Sequence, residues 1–257
     1  MTSAISEVLQ ISSELLWHGI AVFLRVGALV ALLPAFGERT VPARIKLVIV
    51  MCFVLIIAPA VPPLTMTPGF DTLSVLAFTE TLAGLILGIG IRLFILALQT
   101  AGSIAAQSTS LSQILGGAVA DPLPAMGYIL IISGLALAVI TGLHVKAASL
   151  IILSYEFLPM GQLVGGSALS AWGVSRIVDA FALAFTLAAP FVILSVIYNL
   201  ALGAINKAMP QLMVAFVGAP VITAGGLFVL LLAAPFMLHH WMGAIDGYLA
   251  NPYRMPP

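Results

Sequence analysis

The chain has 257 residues, of which 62% are hydrophobic and 7% charged, and its mean hydropathy is +1.21. A soluble domain carries roughly 25% charged residues, so this composition excludes an ordinary water-soluble enzyme and predicts an all-α membrane protein, a single integral-membrane domain over residues 1–257. Nine basic and nine acidic side chains cancel, leaving no electrostatic footprint for nucleic acid or for an anionic substrate.

About six long hydrophobic helices, broken by Pro and Gly and arranged as helical hairpins, are expected. The N-terminus holds acids but no Lys or Arg before Arg25. It lacks a basic n-region and an A-x-A cleavage site, so its first apolar segment reads as retained. Residues 3–10 are short and polar, and Ser12 or Ser13 is the expected N-cap of a helix over 15–33. Arg25 falls in its middle, where it costs several kcal/mol unless it finds a partner or water. A turn-rich connection over 34–42, with Pro34, Gly37 and Pro42, follows. Arg39, Arg44 and Lys46 make it the densest positive region, which marks a cytoplasmic face. A second helix spans 45–58 and is ended by Pro59, Pro62 and Pro63. It contains Cys52, the only cysteine, expected to be a small buried hydrophobe.

A third helix runs over 73–101. On it Glu80, Gly84, Gly88 and Arg92 recur every fourth residue and form one slanting stripe, shifting by about 40° per step. Gly84 and Gly88 allow another helix to approach closely. Glu80 and Arg92 lie about 18 Å apart along the axis, so their partners must lie on other segments or chains. Residues 101–126 have the length of a spanning helix but hold two glutamines, five hydroxyls, a Gly-Gly pair and an Asp-Pro. Lipid cannot solvate such a stretch cheaply, so it reads as a loop over 102–123 surrounded by something other than lipid.

A fourth helix is expected over 124–153, carrying Gly134, Gly142, His144 and Lys146. No second His or acid stands at metal spacing to His144, so neither a metal nor any other cofactor is implied. Residues 156–175 read as a Gly/Ser-rich loop, and 176–202 as a fifth helix kinked at Pro190. A second polar interruption over 203–211 holds Asn206, Lys207, Pro210 and Gln211. The last run, 214–249, contains Pro220, Gly225-Gly226 and Pro235 and reads as two shorter helices or one bent hairpin. His239 and His240 point about 100° apart on a helix, which suits an interfacial His-His-Trp belt better than chelation. Leu-Ala-Ala-Pro-Phe occurs at 187–191 and again at 232–236, by chance or as a trace of an internal repeat. With six spans, Arg39, Arg44, Lys46 and Lys207 fall on one side and Arg176 and Arg254 on the other, which favours an outside N-terminus.

Several patterns occur together in order: Pro34-Ala-Phe-Gly37 with Val41-Pro42-Ala-Arg44-Ile-Lys46, Leu111-Ser112 with Asp121-Pro122, His144 before Ser154 and Pro159, and Asn206-Lys-Ala-Met-Pro210-Gln211 with Val217-Gly-Ala-Pro220. From about Arg25 to Leu238 this set resembles the FliR family of flagellar export-gate proteins, whose counterpart in virulence type III secretion is SctT. The resemblance implies a subunit of a helical export gate at the flagellar basal body of the bacterial inner membrane. It further implies FliP-like, FliQ-like and FlhB-like partner subunits, and passage of unfolded exported proteins through the channel. It also implies that Gln107 to Gly117 contribute a plug in the closed pore. Within that plug Gln107 and Ser108 are polar, Leu111, Ile114 and Leu115 can exclude water and ions, and Gly116 and Gly117 supply hinge freedom.

A secondary transporter would use Glu80, Arg92 and Lys146 as coupling groups, motivated by intramembrane charge and broken helices. An intramembrane hydrolase has little to stand on, because the chain has neither G-x-S-x-G nor H-E-x-x-H. It also lacks a P-loop, so any ATP-driven step must come from elsewhere. The expected role is therefore non-enzymatic. On this reading Arg25, Glu80, Gly84, Gly88, Arg92 and Lys146 form subunit interfaces or buried ion pairs.

Overall fold

The computed structural model describes residues 2–64, 69–109, 125–163, 165–209 and 214–253. They form seven α-helices and, among the described residues, no strand. The helices are α1 (Thr2–Leu32), α2 (Ala43–Ile57), α3 (Phe70–Thr109), α4 (Ala125–Ile140), α5 (Leu143–Phe157), α6 (Gly166–Ala208) and α7 (Val214–Ala250), with a 3₁₀ turn at Ala58–Ala60 after α2. Among the described residues, five helical segments are long and apolar enough to cross a membrane, and the broken pair α4 and α5 makes a sixth if counted as one span. The protein is an all-α membrane protein.

Several boundaries differ from the sequence expectation. The first helix starts at Thr2, so Ser12 and Ser13 lie inside it and cap nothing. α3 continues through Thr109, which places 102–109 on a helix instead of in a loop. Two of the three hydroxyls there are absorbed by their own helix: Ser108 Oγ donates to the Ala105 carbonyl at 2.8 Å and Thr109 Oγ1 to the same carbonyl at 3.0 Å. Back-bonding to the preceding turn removes the need for a wet surrounding.

The expected fourth helix is divided at Gly142, whose φ of 81° lies in the left-handed region. Glycine reaches that conformation without steric cost. α6 starts at Gly166, ten residues before the expected position, and carries Pro190 in its interior. α7 is one continuous helix through Pro220, Gly225-Gly226 and Pro235. All three prolines are exposed on their helices. Each removes one backbone hydrogen bond, yet long apolar helices of membrane proteins tolerate such positions. The two Leu-Ala-Ala-Pro-Phe copies sit differently: Phe191 is buried, whereas Phe236 is 79% exposed.

The chain forms two compact units. The first comprises Met1–Arg92, Val139–Ser175 and Asp246–Pro257; the second comprises Leu93–Ala138 and Arg176–Ile245. In the first unit α2 folds back on α1 through a turn in which Gly37 N–H donates to the Leu33 carbonyl at 2.7 Å and Lys46 Nζ to the Gly37 carbonyl at 2.9 Å. The first part of α3 then runs parallel to α1, with Gly84 against Arg25 and Ala28, and Gly88 against Leu32.

In the second unit the later part of α3 and the start of α4 come into backbone contact at Gly102 and Gly127. Trp241 of α7 is fully buried, donates from Nε1 to the Phe94 carbonyl at 2.8 Å, and lies against Gly134. This contradicts the expected interfacial belt. His239 and His240 are exposed, but the tryptophan beside them is a core residue. Cys52 is likewise exposed, on the outer face of α2, and not buried as composition suggested.

Candidate functional site

Among the described residues, the most completely enclosed polar centre lies in the first unit. Arg25 on α1 is 1% exposed and Glu80 on α3 is 0% exposed. Arg25 Nε donates to Glu80 Oε2 at 2.8 Å, Nη1 to Ser154 Oγ at 3.0 Å and Nη2 to the Leu158 carbonyl at 2.8 Å. The second carboxylate oxygen, Oε1, accepts from the Gly161 backbone N–H at 3.0 Å. The Tyr155 ring lies over the guanidinium, 3.8 Å from carbon to ring centroid. A cation over an aromatic face gains further attraction when both are desolvated. The guanidinium fork thus ties together α1, α3, α5 and the turn after α5.

This geometry follows from local spacing. Glu80, Gly84 and Gly88 share one face of α3, and a methyl group at Gly84 would overlap the Arg25 carbonyl and stand 2.8 Å from Ala28 Cβ. The missing side chain brings the two backbones close enough for Arg25 to reach Glu80. On α5, Ser154 and Tyr155 present a hydroxyl and a ring on the inward side, and both are buried. The Tyr155 hydroxyl is enclosed without a hydrogen-bond partner.

Two further ion pairs lie nearer the surface of this unit. Arg92 at the far end of the α3 stripe pairs with Glu38 in the α1–α2 turn, with side chains 33% and 26% exposed. Lys146 on α5 donates to Asp246 at 2.6 Å, with side chains 33% and 44% exposed. Glu80, Arg92 and Lys146 therefore each have an acid or base partner within the chain, and the stripe glycines receive α1 of the same chain. Sequence reasoning missed Glu38, Asp246, Tyr155 and Gly161 as partners. The only available signal was that each carries a group able to answer a buried charge.

Gln107 is exposed on α3 and Ser108 is half-buried. Leu111, Ile114, Leu115, Gly116, Gly117, Asp121 and Pro122 lie outside the described residues, as do Pro210 and Gln211. Pro34 is buried, Pro42 precedes the first residue of α2, and Arg44 and Asn206 are exposed. Pro220 is exposed within α7. His144 is exposed, and among the described residues no group of three His, Cys, Asp or Glu side chains is placed to hold a metal.

Helices of this length, with their strongest polar interactions directed inward, define a polytopic membrane protein. The pattern of bacterial export proteins, family 1, matches residues 16–248, and the chain belongs to that family. It is 34% identical over 225 residues to the flagellar biosynthetic protein FliR of Caulobacter vibrioides, covering 86% of this chain and 89% of the relative. It is 31% identical over 250 residues to the Escherichia coli protein of the same name, covering 90% and 93%. It is also 29% identical over 209 residues to that of Bacillus subtilis, covering 77% and 79%.

Proposed function

We propose that this protein is a non-enzymatic subunit of the flagellar protein export gate in the bacterial inner membrane, assembled with FliP-like, FliQ-like and FlhB-like subunits. The observation that carries this reading is the similarity to FliR of Caulobacter vibrioides over 86% of the chain and 89% of that relative. Unfolded flagellar proteins pass through the channel that the subunit helps to form. The segment between α3 and α4 supplies the plug, with Leu111, Ile114 and Leu115 as its seal and Gly116-Gly117 as its hinge. The helices on either side of that segment are packed within the second unit: Gly102 and Gly127 bring α3 and α4 into contact, and Thr109 at the end of α3 packs on Gly226 of α7. A coupling role for Glu80, Arg92 or Lys146 is less well supported, because each is already paired.

Expression in a bacterium lacking its own FliR tests the reading. The full chain should restore swimming and co-purify in mild detergent with FliP-like and FliQ-like subunits. Failure to co-purify would overturn the gate assignment. Deletion of residues 107–117 should leave that assembly intact while raising small-ion leakage, and unchanged leakage in an assembled complex would remove the plug.

A further inference from the structure

The outer face of α2 and the turn before it are not used by the buried centre. Leu47, Val48, Met51, Leu55 and Ile56 are 53%, 61%, 47%, 73% and 64% exposed, and Cys52 is exposed among them. Arg44 lies four residues before Val48, hence on the same helical face. Arg44 and Arg39 are both exposed, and neither has a partner among the described residues. Their nearest sequence neighbours of opposite or equal charge are occupied: Glu38 holds Arg92, and Lys46 donates to the Gly37 carbonyl. Among the described residues, two unpaired cations thus stand at the N-terminal end of an apolar helix face.

The occupant of that face follows from its residue types. Membrane helices that receive another helix carry Gly, Ala, Ser or Thr to let backbones approach, as α3 does at Gly84 and Gly88. From Arg44 to Ile57, α2 has none of these four residues, and apart from the small Cys52 its exposed positions are long or branched. Acyl chains conform to such a surface without needing a notch. Arginines at the end of an apolar helix reach the headgroup layer and attract anionic lipid.

The geometry points to a lipid site: Arg39 and Arg44 bind the phosphate of an anionic phospholipid whose acyl chains lie along Val48, Met51 and Leu55 of α2. This goes beyond the export-gate reading and does not depend on it.

The test uses the full chain purified in mild detergent and native mass spectrometry with added phosphatidylglycerol or phosphatidylcholine. Wild type should retain phosphatidylglycerol in preference to phosphatidylcholine. The R39Q/R44Q variant should lose that preference by about twenty-five-fold, at roughly fivefold per charge. Equal retention of both lipids, or an unaltered preference in the variant, would overturn the site. A photoreactive residue at Val48 in the membrane-embedded assembly gives an independent readout. Lipid adducts support the proposal, whereas cross-linking to another protein subunit would show that the face is a subunit contact and overturn it.

Discussion

The Arg25 guanidinium and the Glu80 carboxylate meet at 2.8 Å with almost no exposure of either side chain, although 55 positions separate them in sequence. Removing one member of a buried pair leaves the other charge uncompensated, at a cost of about 3–5 kcal/mol. Glu80→Ala should therefore lower the thermal unfolding midpoint of the detergent-purified chain sharply. The R25M/E80M double substitution should recover much of the loss, because no isolated charge remains. A single variant as stable as wild type would contradict this account.

Close contact at Gly84 is what allows that pair to form. Gly84→Ala forces its methyl against the Arg25 carbonyl and Ala28 and should destabilise by about 1–3 kcal/mol. Gly243 on α7 has open space where a methyl would go, and Gly243→Ala should be neutral or stabilising by about 0.5–1 kcal/mol, since glycine is costly inside a helix. Equal effects of the two substitutions in the same unfolding assay would disprove the packing argument.

Lys146 and Asp246 are one-third and nearly one-half exposed. Such a pair contributes less than about 1 kcal/mol. Lys146→Gln should leave stability and swimming of a complemented strain close to wild type. Abolished swimming with normal protein level would instead assign Lys146 a coupling role.

Tyr253 follows the last turn of α7, stacked obliquely on Phe157 with ring centroids 4.9 Å apart. Burial pushes its hydroxyl up from 10.0 to about 12. The unfolded chain releases this proton first as pH rises, so the stabilising contribution is present below pH 10 and is lost between about pH 10 and 12. Tyr253→Phe should flatten that part of the stability profile, and an ultraviolet tyrosinate titration should lose one late-titrating group. Loss of a group titrating near pH 10 instead of a late one would show that Tyr253 ionises as a free tyrosine.

Composition and hydropathy were sufficient to determine an all-α membrane protein, because lipid admits only helices and closed barrels, and long continuous apolar runs are those of helices, whereas barrel strands alternate apolar with polar residues. The ordered motifs from Pro34 to Pro220 were enough to point to the family. Boundaries were less legible where Gly, Pro and Ser were read as breaks. In α7, Pro220 and Pro235 do not end the helix, and in α3 the hydroxyls of Ser108 and Thr109 bond back to their own helix.

The stripe of Glu80, Gly84, Gly88 and Arg92 was visible from its spacing, but what each residue meets was not. Only the tertiary structure decided that Glu80 answers Arg25, Arg92 answers Glu38, and the glycines receive α1. Periodicity is a property of one helix and can be read from sequence. The partner of a buried charge depends on which distant segments approach closely enough to replace water.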